Sequence, residues 1–150
     1  MRVIIINRAD RTDRLIQVTE ELSEQGLTYT PFNAIIDKIG WVGCRDSHVA
    51  VLKKYKKEGT FLILEDDVQF LYPFYSYLAL AIAELPVDWD CLYLGGSPQE
   101  PQKRYSDNLF RCKNTLTTHA ILWNYPGSGA IDYILSHTTA IRKFDVYMRE

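Results

Sequence analysis

The chain has 150 residues, enough for one ordinary domain over residues 1–150 with its own core. A hydrophobic share of 47% with 24% charged residues excludes a disordered chain, and a net charge of −2 excludes the global basic field of a nucleic-acid binder. Three widely spaced cysteines, Cys44, Cys91 and Cys112, exclude a disulfide framework or a zinc knuckle and point to reduced thiols in a cytoplasmic setting.

Taken in order, Val3 to Ile6 is a continuous β-branched run, the mark of a strand buried on both faces, with Asn7 at its carboxyl end. The run is too short for a secretion-signal core. Asp10 is placed to cap a helix in which Leu15, Val18 and Leu22 recur at helical spacing, and Gly26 is placed to end it. Thr28 to Ala34 reads as a second strand, with Pro31 suggesting a sheet edge or a bend. From about the Gly40–His48 stretch a helix runs to Glu58. Its Lys53, Lys54, Lys56 and Lys57 read as a solvated face.

Thr60 to Leu64 is an apolar, β-prone run that ends in three consecutive carboxylates, Glu65, Asp66 and Asp67. Pro73 opens a helix through about Leu85, Cys91 to Leu94 makes another strand, and residues 97–108 form an irregular loop suited to a lid or a substrate contact. Leu116 to Trp123 reads as one more strand and Gly129 to Ser136 as a last helix. Leu78 to Leu85 is apolar but too short for a membrane span, so any membrane contact would be peripheral. Strands alternating with helices predict an α/β sandwich around a mainly parallel sheet.

Ligands of such sheets bind outside the carboxyl ends of the strands, which sorts the acidic residues. Asn7, Glu65, Asp66 and Asp67 lie at carboxyl ends, whereas Asp88 and Asp90 precede a strand and read as caps or turn residues. Alternation puts Glu65 and Asp67 on one face and Asp66 on the other. Two like charges converging there repel, a cost that a divalent cation would offset, and the cation could in turn hold a pyrophosphate. No glycine-rich phosphate loop is present, which leaves phosphate to a metal and to Arg8, Arg11 and Arg14 near the first helix. Ser47 and His48 are adjacent on a helix and point about a quarter turn apart. That is poor geometry for a nucleophile pair, and His48 reads as a buried, hydrogen-bonded residue behind the ligands.

Ile6-Asn7 with Arg11-Thr12-Asp13-Arg14, Ala34-Ile35-Ile36-Asp37, Gly43-Cys44 with Ser47-His48, and Leu64-Glu65-Asp66-Asp67-Val68 together resemble the ordered blocks of glycosyltransferase family 25. That family includes lipopolysaccharide-type and collagen galactosyltransferases. Asp88-Trp89-Asp90-Cys91-Leu92-Tyr93-Leu94-Gly95 and Phe144-Asp145-Val146-Tyr147 resemble its later blocks. The chain departs from the pattern at Arg8, where members carry Leu, and between Asp37 and Gly40, where they carry a longer insertion.

The resemblance implies a GT-A-like nucleotide-sugar-binding fold, in a single domain that is either truncated or minimal. It implies inverting transfer of galactose or glucose from a UDP-sugar to a hydroxyl on a glycan or glycoconjugate acceptor. Under it, Glu65 and Asp67 hold Mn²⁺ or Mg²⁺ with a late histidine, His119 in preference to His137. Asp66 then turns towards the donor sugar or ribose, Asn7, Arg11, Arg14, Ser47 and His48 line the donor site, and Asp145 is the base. Two other readings use the same residues: a catalytically silent GT-A-like module that binds nucleotide or glycan, and a phosphoryl-transfer domain holding Mg²⁺. The second fits less well, because Asn7 and Arg8 stand where such domains carry an acidic pair after the first strand.

Overall fold

The computed structural model describes residues 1–71, 73–138 and 144. Their β-branched and aliphatic runs form one sheet through β1 (Arg2–Asn7), β2 (Thr30–Asn33), β3 (Phe61–Glu65), β4 (Cys91–Tyr93) and a strand between Ala120 and Trp123. Between β4 and that strand lie four two-residue strands: β5 (Ser97–Pro98), β6 (Lys103–Arg104), β7 (Phe110–Arg111) and β8 (Thr115–Leu116). The Ala120–Trp123 strand is therefore β9. The helices are α1 (Thr12–Glu24), α2 (Gly40–Tyr55), α3 (Phe74–Glu84) and α4 (Ala130–His137). None of them is long and apolar enough to cross a membrane.

The sheet order is β2-β1-β3-β9-β4. β1 pairs in parallel with β2 and β3, but β9 is antiparallel to both β3 and β4. The sheet is therefore mixed, not mainly parallel as expected. Hydrophobic pattern reports that a strand is buried but carries no sign of its direction. Pro31 does sit on an edge strand, where its missing N–H costs no ladder bond.

Alternation divides the core cleanly. Ile4, Ile6, Phe61, Ile63, Ile121 and Trp123 face α2 and α4 and meet Val51, Leu52, Ile131 and Ile134. Val3, Ile5, Leu62, Leu64 and Leu122 face the other way and meet Val18 and Leu22 of α1 and Leu78 of α3. Each fully buried Leu or Ile contributes about 1.5–3 kcal/mol relative to an exposed one, so both faces of β1 and β3 anchor the molecule. This double-sided burial fixes where the two strands end, and the candidate site is built on those ends.

Two local expectations change. Asp10 does not cap α1. The N-cap position is Arg11, and the Asp10 carboxylate instead accepts two hydrogen bonds from Arg8 at 2.9 and 2.6 Å. The other end of α1 closes as expected: Gly26 adopts φ +65°, and Leu27 N–H donates back to Leu22 C=O at 2.8 Å. The predicted strand over Leu116–Trp123 is broken into β8 and β9, because Thr117 adopts φ +72°. A β-branched residue in the left-handed region is a backbone outlier, of a kind that clusters at functional sites.

Candidate active site at the carboxyl edge of the sheet

β1 and β3 end side by side, with Ile6 in register with Glu65. The chain turns sharply after β3, Val68 N–H donating to Glu65 C=O at 3.3 Å, so Asp66 and Asp67 lie in a turn and not on the strand. The turn still separates the carboxylates as alternation predicted. Asp66 points to β1 and α1, where it accepts from Asn7 Nδ2 at 2.8 Å and Arg14 Nη1 at 3.0 Å. Asn7 Nδ2 also donates to Arg11 C=O at 3.2 Å, tying the end of β1 to the start of α1.

Glu65 and Asp67 face the break between β8 and β9. Glu65 N–H donates to His119 C=O at 2.8 Å, which extends the β3–β9 ladder by one bond. The kink at Thr117 then aims two side chains back at the acidic pair. Thr118 Oγ1 donates to Glu65 Oε1, and His119 Nδ1 lies 2.9 Å from Asp67 Oδ1 and 3.9 Å from Glu65 Oε2. On its other side Glu65 Oε1 meets His48 Nε2 at 3.0 Å. Burial works to raise the Glu65 carboxyl, yet the His48 hydrogen bond and charge, the Thr118 hydroxyl and His119 together hold it below the ordinary glutamate value. Glu65 is thus an anion at neutral pH.

His48 is fully buried and its ring stacks on Phe144 at 4.8 Å between centroids. Ser47 is also fully buried, and its hydroxyl is committed to backbone: it donates to Gly43 C=O at 2.6 Å and accepts from Ile35 N–H at 2.8 Å. This clasp lays the 35–37 segment over α2 where Gly43 leaves room. A Cβ on Gly43 would come within 2.5 Å of Ile35 O. The segment walls a cleft of about 330 Å³ lined by Arg8, Arg11, Arg14, Ile36, Asp37, Cys44, His48, Glu65 and Asp66 among others. Of the arginines, Arg8 is paired with Asp10 and Arg11 with Asp13, whose carboxyl is pulled down to about 2 chiefly by the hydrogen bond from Arg11. Arg14 bridges Asp66 and, at 3.9 Å, Asp67.

Glu65, Asp67 and His119 each offer a ligand atom within 4.8 Å of the others. Two carboxylate oxygens and an imidazole nitrogen fit Mn²⁺ better than Mg²⁺, which prefers oxygen alone. His119 and Asp67 are partly solvent-exposed, so the group is open to solvent. His137, on α4, hydrogen-bonds and stacks within its own helix, against Tyr133. Asp145 lies outside the described residues. Asp90 accepts from the backbone N–H groups of Ser128, Gly129 and Ala130 at 2.8–3.1 Å and so caps α4, away from Glu65, Asp67 and His119.

Sequence reasoning did not single out Thr118 or Thr117. Thr118 carries no motif of its own, and the break that places it depends on a backbone angle that no side-chain pattern announces.

No protein-family model matches the chain. The chain is similar to a protein of Acanthamoeba polyphaga mimivirus named "Putative glycosyltransferase R655", with 22% identity over 165 residues that cover 93% of this chain and 51% of the viral protein. The chain thus spans about half the length of this relative.

Proposed function

We propose that the chain carries the donor site of a metal-dependent glycosyltransferase that moves a sugar, galactose or glucose, from a UDP-sugar to a hydroxyl of a glycan or glycoconjugate. The observation that carries this reading is the convergence of Glu65, Asp67 and His119 on one point beside the Arg8–Asp66 cleft. The similarity to a protein named as a glycosyltransferase supports the reaction class. The blocks that resemble family 25 support the donor.

Glu65, Asp67 and His119 would hold Mn²⁺, which when bound neutralises charge on the diphosphate leaving group. The remaining steps belong to side chains already in place. His48 and Thr118 hold Glu65 ionised and aimed. Asn7 and Arg14 fix Asp66, so its carboxylate serves to hold the cleft wall rigid and to offer a free lone pair to a donor hydroxyl. Exposed Ile35 and Ile36 on the clasped segment give the cleft an apolar lip suited to the face of a base. Asp145 remains the proposed base for the acceptor hydroxyl, and Asp145→Asn should abolish transfer while leaving UDP binding intact.

The test is a donor screen. Release of UDP from UDP-galactose or UDP-glucose that requires Mn²⁺ and is lost in Asp67→Ala is the expected result. UDP binding with no turnover on any glycan acceptor would instead mark a silent binding module.

A further inference from the structure

A second group of metal-ligating side chains lies on the opposite flank of Glu65. Cys44 and His48 are four residues apart on α2 and therefore share a helical face. That face meets the end of β3, where Cys44 Sγ lies 4.0 Å and His48 Nε2 3.0 Å from the same atom, Glu65 Oε1. All three donor atoms fall within 4.8 Å of one another.

We propose that Cys44, His48 and Glu65 form a distinct site for a thiophilic divalent cation, Zn²⁺ by preference. Thiolate and imidazole select zinc over the hard cations that suit carboxylates. Tetrahedral zinc with ordinary bond lengths holds S/O and N/O ligand pairs about 3.3–3.7 Å apart. The Cys44–Glu65 separation therefore needs to close, and the His48–Glu65 separation to open, by well under an ångström. Three protein ligands leave a fourth position, which exposed Cys44 opens to the cleft.

Both partners of Glu65 are held in place before any ion arrives. The His48 ring is fully buried and oriented by its stack on Phe144, and α2 fixes Cys44 one turn before it. On binding, the Cys44 thiol proton leaves to solvent and the His48 ring proton resides on Nδ1. The site uses Oε1 of Glu65, whereas the Asp67–His119 group faces Oε2, so a single carboxylate separates a soft site from a hard one. Nothing in this proposal depends on sugar transfer.

Cobalt(II) reports the site directly, because a cobalt–thiolate bond gives an intense near-ultraviolet charge-transfer band. Titrating the intact chain with Co²⁺ should produce that band, and added Zn²⁺ should remove it. Loss of an outer-shell partner alone costs about 10–100-fold in metal affinity, so Cys44→Ser should lose the band and at least that much affinity. The band should persist in Cys112→Ser and in Asp67→Ala. Cys91 is no rival source, since burial pushes its thiol up to about 12. Absence of a band from the folded protein, a band that survives Cys44→Ser, or one that vanishes in Asp67→Ala would overturn the proposal.

Discussion

Asn7 at the end of β1 donates to Asp66 in the turn after β3 at 2.8 Å, a bond that joins the ends of two strands 59 residues apart in sequence. Asn7 is 6% exposed, so the bond is shielded from water. It sets the direction of Asp66 and, by the sharpness of the turn, leaves Asp67 free to face His119. Removing the amide strands a carboxylate that, among the described residues, keeps Arg14 as its remaining hydrogen-bond donor. Asn7→Ala should cost about 1–3 kcal/mol, measured as a lower urea midpoint with an unchanged slope. Asn7→Asp should cost more, because it opposes two carboxylates.

Gly43 is the point where α2 admits the 35–37 segment. A methyl group at this position would sit only 2.5 Å from Ile35 O, so Gly43→Ala drives a side-chain carbon into rigid backbone. We expect a loss of about 1–3 kcal/mol from overpacking. The Ser47 clasp on Ile35 should loosen with it, visible as faster amide exchange at Ile35.

Asp90 tests the division of the acidic residues between structure and chemistry. Its carboxylate caps α4, so Asp90→Ala should destabilise the fold by about 1–2 kcal/mol. Mn²⁺ affinity of the folded fraction should stay at the wild-type value. A drop in Mn²⁺ affinity would contradict the assignment of Asp90 to a purely structural role.

Glu84 closes the β6–β7 hairpin onto the end of α3. It accepts from the Ser106 hydroxyl, and from Asn108 N–H at 2.9 Å and Nδ2 at 2.5 Å, and these bonds, the Ser106 hydroxyl foremost, hold its carboxyl below the ordinary glutamate value. A carboxyl lowered by folding contributes stability above its unfolded value and loses it as pH falls through the folded one. Glu84→Gln should therefore lower Tm near neutrality and flatten the acid side of the Tm–pH curve, as followed by circular dichroism.

The parts of this fold that rest on local pattern were readable in the chain. Val3–Ile6 and Phe61–Leu64 are buried on both faces, so uninterrupted β-branched and aliphatic runs announce them, and their carboxyl ends locate Asn7 and Glu65. Gly26 announced the end of α1 because only a left-handed residue closes it so. What could not be read depends on long-range pairing or on a single torsion. β9 runs antiparallel though its composition suits either direction. Thr117 breaks a run that looks continuous, and only that break brings Thr118 and His119 to Glu65 and Asp67. Asp10 had a nearer partner in Arg8 than the helix N–H groups it was expected to cap.

In the proposed site, Glu65, Asp67 and His119 hold a cation that in turn holds a nucleotide diphosphate. Calorimetric titration of UDP with and without Mn²⁺, in the wild type and in Asp67→Ala, tests it most directly. Mn²⁺ should tighten UDP binding by about tenfold or more, and Asp67→Ala should abolish the gain. UDP affinity indifferent to Mn²⁺, or a Mn²⁺ gain that Asp67→Ala leaves intact, would contradict it.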